Sequence, residues 1–209
     1  MTEQIGSITE TKAFEQLGLL VLDGSGSMTH EGVTKMPKAD EVNVAVRGLI
    51  ARLKISRHRD NFLLGVVSYD GSANADRVPP TPVSKLDDTA DYNPLHGHGG
   101  ETAIGAALKA AHNVAQSFLS GQGDFPRSVV MVVMSDGQNT TGPSPIEAAT
   151  EIRNSGERIT ICAAGYGKSG DLDEQTLRSI VSSPTGYKHT YNDEELRQFF
   201  EASITQRRG

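Results

Sequence analysis

Cysteine is nearly absent from this chain of 209 residues. Cys162 is the single one, so no internal disulfide can form, and its place inside the apolar run "ITICAA" suits a small buried side chain. Long hydrophobic runs are missing too; the longest are strand-length, which leaves no helix able to span a bilayer and argues against a membrane protein. The opening "MTEQIGSITETKAFEQ" lacks the basic start and apolar middle of a secretory signal, so the expected location is the cytoplasm. Positive charge is in deficit, with a formal net charge of −6, which argues against general nucleic-acid binding. The basic cluster "KISRHR" at residues 54–59 is read as cations complementing the dipole at a helix end. Internal repeats, low-complexity tracts and an interdomain linker are also lacking. The reading is one domain over residues 17–209, preceded by an extension over residues 1–16 that has no pattern and has room for partial disorder.

What the chain does contain is four short aliphatic runs, "LGLLVL", "FLLGVVSY", "SVVMVVMS" and "RITICAAG", with the character of strands buried on both faces. Helical patterns lie between them. Val42, Val46, Leu49 and Leu53 share one helix face, and so do Ile104, Leu108, Ala111, Ala115 and Phe118. A third helix is expected from Pro143 or Pro145 to a stop at Gly156, and two more in "LDEQTLRSIVSS" and "DEELRQFFEASITQ". The last places Leu196, Phe199, Phe200 and Ile204 on one face. Strands alternating with helices predict an α/β fold, a parallel sheet with helices on both faces. Pro79, Pro80 and Pro82 remove ladder donors, so a strand there belongs at an edge. Residues 87–100 read as a polar surface loop.

In an open parallel sheet, ligands bind beyond the carboxyl ends of the strands. Two runs end alike: "LLVL" leads into Asp23 of "DGSGS", and "VVMVVM" leads into Ser135-Asp136 of "SDGQNT". "HGHGGETAIG" sets Thr102 at the start of a helix. Taken singly, Asp-Gly and Ser-Gly are turn dipeptides and Thr102 is a helix cap. Together they are an oxygen-only group suited to a hard cation such as Mg²⁺. The hydroxyls of Ser25 and Ser27 fill coordination positions without adding negative charge, so an ion held there stays electrophilic and seeks an outside carboxylate.

The segments "VLDGSGSM", "GGETAIGAAL" and "VVMVVMSDGQNT", in this order, resemble the von Willebrand factor A domains and their metal-ion-dependent adhesion site, Asp-x-Ser-x-Ser, Thr, Asp. The resemblance runs from about Leu17 through the later "ITICAAGYGKSGDLDEQTLRSIVS" and "DEELRQFF". It implies a doubly wound, mostly parallel Rossmann-like sheet with one antiparallel edge strand, here near residues 78–83. It also implies Mg²⁺ or Mn²⁺, with Ser25 and Ser27 as direct ligands, Asp23 and Asp136 acting through bound waters, and Thr102 joining when a ligand is engaged. A partner protein would supply the missing Asp or Glu. Glu101, immediately before Thr102, and the long loop "THEGVTKMPKAD" depart from the family pattern. Glu101 either faces solvent or weakens the pull on an acidic partner, and the loop frames the partner surface, with Glu31, Lys35, Asn139 and Thr140 beside the motif. The chain is loosely similar to the intracellular bacterial members encoded with tellurium-resistance and chemical-stress systems, or working with chelatase-type and MoxR-type ATPases.

The expectation is therefore a non-enzymatic binding module. Alternatives are a Mg²⁺-dependent phosphohydrolase with Asp23 as nucleophile, opposed by Ser25 where such phosphatases carry a second aspartate, and zinc held by His96 and His98. A purely structural ion is a further reading. Nucleotide-loop signatures are incomplete: the third glycine of G-x-G-x-x-G and a Gly-Lys pair are both missing. The partner's identity and the oligomeric state stay open.

Overall fold

The computed structural model describes residues 12–96, 99–168, 170 and 172–206. Six strands form one sheet: β1 (Glu15–Asp23), β2 (Phe62–Tyr69), β3 (Ala73–Pro82), β4 (Arg127–Ser135), β5 (Ile159–Tyr166) and β6 (Tyr187–Thr190). Five α-helices accompany them: α1 (Lys38–Lys54), α2 (Ile104–Ser120), α3 (Pro145–Asn154), α4 (Glu174–Ile180) and α5 (Asp193–Thr205). The strand order is β3-β2-β1-β4-β5-β6, parallel throughout except for β3, which runs antiparallel to β2 at one edge. This is the doubly wound, mostly parallel α/β sheet expected.

The proline-bearing strand lies at the edge, where a missing donor faces no neighbour. It begins earlier than the expected residues 78–83, and the β2 pairing slips twice along it, between Leu64 and Val66 and between Val66 and Ser68. The sequence reading missed β6, four residues paired only to β5 and too short and mixed in polarity to carry a pattern. Among the described residues no helix is long and apolar enough to cross a membrane.

Alternation along the central strands divides the core. Leu20, Leu22, Val130, Val132 and Met134 face α1 and α5, whose Val42, Val46, Leu49, Leu196, Phe200 and Ile204 complete one cluster. Leu17, Leu19, Val21, Val129, Met131 and Val133 face the other way, against Ile104, Leu108, Ala111, Ala148 and Leu177 of α2, α3 and α4. Each of the fully buried Val, Leu, Ile, Met and Phe side chains among them contributes about 1.5–3 kcal/mol, so the central strands are pinned from both faces. Gly18 lets α5 close on β1, since a Cβ there would lie 2.7 Å from Ile204 Cδ1.

Helix ends follow local chemistry. Ser144, Asp173 and Asn192 cap α3, α4 and α5 by accepting from backbone N–H groups, and Gly156, at a φ of +74°, supplies the left-handed residue after α3. Lys54 closes α1 and pairs with Asp88 at 2.8 Å, which accounts for part of the basic cluster as helix-end cations. The loop at residues 87–96 is not a free surface segment throughout. Tyr92 is buried, its N–H donates to Asn43 Oδ1 at 2.8 Å, and Asn93 Nδ2 donates to Asp40 Oδ1 at 2.7 Å.

The order of β1 and β4 reverses the winding between them, so a crevice opens beyond their carboxyl ends. The first turn of α2 closes on the segment after β4 at Gly105, where a Cβ would run into the backbone carbonyl of Pro143. Replacing Gly105→Ala is expected to destabilise the fold by roughly 2–3 kcal/mol, because backbone rather than a flexible tip must move. Chemical denaturation of the two proteins measures this; an equal midpoint would contradict the packing.

Candidate functional site

Asp23 is the last residue of β1, and the run of apolar residues before it carries its carboxylate entirely out of solvent. One oxygen, Oδ1, accepts from the Ser25 N–H at 2.9 Å; the other, Oδ2, accepts from the Ser135 hydroxyl at 2.6 Å. Burial, reinforced by the charge of Asp136, pushes the Asp23 pKa up to about 6 against the lowering effect of these hydrogen bonds. Tyr69, paired in register with Asp23, is fully buried as well, and burial together with the Asp23 charge holds its phenol well above the ordinary range.

From Asp23 the polar contacts run on through the loop. Ser25 Oγ lies 3.0 Å from Ser27 Oγ, and Ser27 Oγ donates to Asp136 Oδ1 at 2.6 Å. Asp136 follows β4 directly and is buried. Its second oxygen, Oδ2, is held by the Lys38 ammonium at 2.6 Å. Asp23, Ser25, Ser27 and Asp136 thus form one connected group at the end of the sheet.

Thr102 is buried and is tied to the loop after β4 through its backbone. Its N–H donates to Thr140 Oγ1 at 2.9 Å, and its carbonyl accepts from Thr140 N–H at 2.8 Å. The Gly26 N–H donates to the Gly100 carbonyl at 2.9 Å, joining this loop to the serine loop. Thr102 is not the cap of α2. That place belongs to Ala103, and the Ile104 N–H is taken instead by Asn139 Oδ1 at 2.8 Å, from the loop after β4. Asn139 and Thr140, which the sequence places beside the motif, are cross-links between the loops. Glu101 is exposed.

The loop after the serines folds back on a buried carboxyl group. Glu41, fully buried in α1, accepts from the Thr34 N–H at 2.7 Å, from the Thr34 hydroxyl and from the Tyr166 hydroxyl. Gly32 leaves the space this carboxylate fills, and Gly32 N–H donates to the Met36 carbonyl at 2.7 Å. Lys35 sits at the tip with a φ of 65°, and Val33 and Met36 present apolar side chains outward at 57% and 40% exposure. Sequence reasoning missed both Glu41 and Lys38. The signal for Lys38 was a basic residue at the first position of a helix, where an acid is favoured.

The group is all oxygen, with two carboxylates and the hydroxyls of Ser25 and Ser27 within hydrogen-bond contact, and one of the carboxylates, Asp23, is fully buried with no ion-pair partner among the described residues. Those residues fit a hard divalent cation. Among the described residues no group of three or more His, Cys, Asp or Glu that could hold a metal ion occurs, and Asp23 and Asp136 are the two carboxylates of the connected group. His96, considered for zinc, is exposed and lies 2.9 Å from Asp91 Oδ2; His98 lies outside the described residues.

The profile of the von Willebrand factor type A domain matches residues 19–206. None of the curated proteins matches the chain. Among solved structures, proximal thread matrix protein 1 from the mussel byssus, in a form with a zinc-occupied MIDAS motif, is 20% identical with a TM-score of 0.65, over 92% of this chain and 48% of that one. The open conformation of the pilus adhesin SpaC from Lactobacillus rhamnosus GG is 14% identical with a TM-score of 0.74, over 94% of this chain and 30% of that one. An aerotolerance-related membrane protein from Bacteroides fragilis is 20% identical with a TM-score of 0.61, over 90% of this chain and 98% of that one. The chain spans about half the length of the mussel protein it matches, at 48%. At these identities the likeness is one of fold.

The burial of Asp23 sets a pH dependence. Its folded pKa of about 6 lies above the value of 3.8 for a free side chain, so between these values the folded state binds more protons than the unfolded one. The group therefore favours the fold below pH 3.8 and costs stability as pH rises through 6, by roughly 3 kcal/mol in metal-free protein. Asp23→Asn is expected to remove this slope and to melt higher than the parent at pH 8 in EDTA. Thermal melts from pH 4 to 8 test it; parallel curves for the two proteins would refute the assignment.

Proposed function

Because the chain belongs to the von Willebrand factor type A domain family, we propose that it is a metal-dependent protein-interaction module that captures an acidic side chain of a partner protein. The observation that carries the reading is the connected group of Asp23, Ser25, Ser27 and Asp136 at the end of β1 and β4, rich in hydroxyls and poor in charge. In this proposal Ser25 and Ser27 hold the ion directly, Asp23 and Asp136 hold its waters, and Thr102 enters when the partner binds. The ion is Mg²⁺ or Mn²⁺, favoured over zinc by an oxygen-only donor set. When bound, it supplies an electrophilic coordination position for a carboxylate oxygen.

The chain's own residues supply the rest. Ser135 and the Ser25 N–H orient the Asp23 carboxylate, the Gly26–Gly100 and Thr102–Thr140 bonds hold three loops at one rim, and Val33, Lys35 and Met36 stand beside it as the partner-facing surface. A phosphohydrolase is disfavoured, since Ser25 stands where such phosphatases carry a second aspartate for acid–base work. The proposal keeps the cytoplasmic setting, and with it a stress-response or ATPase-associated complex, on the strength of the sequence resemblance.

Saturating Mg²⁺ or Mn²⁺, at about a hundred times its dissociation constant, is expected to stabilise the protein by about 2.7 kcal/mol, a shift of roughly 5–10 °C. Ser25→Ala should lose that shift. Capture of partners from lysate with Mg²⁺, with EDTA and with Ser25→Ala tests the interaction itself. A protein retained only by the parent with metal supports the module; identical captures in all three would overturn metal-mediated contact.

A further inference from the structure

Lys38 opens α1, at the end of a helix whose dipole repels a cation. Lysine is among the residues least often buried, yet Lys38 is 8% exposed. Its stem lies along Gly167, where a Cβ would come within 3.5 Å of Lys38 Cε, and its ammonium sits 2.6 Å from Asp136 Oδ2. A buried ammonium without a partner would be strongly unfavourable, so Asp136 is what keeps Lys38 in this place.

The consequence for the site is one of charge and of occupancy. Both oxygens of Asp136 are engaged, Oδ1 by the Ser27 hydroxyl and Oδ2 by Lys38. Asp23 and Asp136 together balance a divalent cation; Lys38 adds a third positive charge against the same two carboxylates. An ion entering the group must either displace the ammonium from Asp136 or accept it as a like-charged neighbour. The loaded group then carries an excess positive charge that an acidic ligand would neutralise.

We propose that Lys38 is an internal counter-ion that restrains the site's affinity for a divalent cation in the absence of an acidic ligand. The inference rests on the reading of Asp23, Ser25, Ser27 and Asp136 as a cation site. It assigns to one side chain the balance between holding the metal and demanding a carboxylate. Nothing in the Asp-x-Ser-x-Ser pattern requires a lysine eleven residues on.

The test is calorimetric titration with Mn²⁺ alone into the parent, Lys38→Met, Lys38→Arg and Ser25→Ala, each checked for fold by circular dichroism. Lys38→Met keeps the stem and removes the charge, and is expected to bind Mn²⁺ on the order of tenfold more tightly, or more, than the parent, while Lys38→Arg stays near it. In EDTA Lys38→Met should melt below the parent, because Asp136 is left buried without its cation, and Mn²⁺ should close or reverse that gap. Binding by Lys38→Met where the parent shows none would also support the inference. Equal or weaker Mn²⁺ affinity in a folded Lys38→Met, with binding by the parent that Ser25→Ala abolishes, would overturn the counter-ion role and leave the cation site standing. No binding by the parent or by Lys38→Met would overturn both.

Discussion

A carboxylate buried at the carboxyl end of a central parallel strand is the constraint around which the molecule is arranged. Asp23 can stay there because its oxygens receive the Ser25 N–H and the Ser135 hydroxyl, one from its own loop and one from the end of the neighbouring strand. Those two bonds couple the conformation of the serine loop to the register of β1 against β4, where Leu22 pairs with Met134. Any change in that register would break the polar contacts and strand a charge in the core, which is far costlier than losing a surface hydrogen bond. Packing and polar chemistry therefore select the same arrangement: apolar side chains on both faces fix the strands, and the strands fix the carboxylate.

Around this centre the loops are joined by contacts that each satisfy a backbone group and also set a distance. Asn139 caps α2 from across the crevice, and Thr140 holds Thr102, so the helix start and the loop after β4 move together. Gly105 permits the same closure by leaving room for the Pro143 carbonyl. On the other side Glu41 gathers Thr34 and Tyr166, anchoring the loop whose tip carries Val33, Lys35 and Met36. A rim built this way is preorganised, and preorganisation lowers the ordering cost that a binding surface must otherwise meet. Lys38 places a buried ammonium at the same edge, paired with Asp136.

Much of this was legible in the residues. The strands β1, β2, β4 and β5 are apolar and aliphatic, the long helices repeat at helical spacing, and three prolines mark the antiparallel edge. The motif residues announce themselves because each follows a strand or precedes a helix. Strand β6 was not legible, since four residues on an edge are too few to show a period. Thr102 looked like a cap by its position, yet the cap comes from Asn139, which is near α2 only in space. Tyr92 anchors a stretch that by composition reads as solvated loop.

By itself the amino-acid sequence determined the α/β class and the placement of Asp23 and Asp136 at strand ends, because periodicity and strand-end placement are local properties. Tertiary structure alone decided that Lys38 meets Asp136, that Glu41 receives Thr34 and Tyr166, and that Asn139 and Thr140 tie the loops together. Lys38 and Asp136 stand 98 positions apart, and Glu41 and Tyr166 stand 125 apart. Pairings at such separations leave no trace in spacing. They arise only when the packed sheet brings loop ends to one edge, where burial makes each charge and each N–H find a partner.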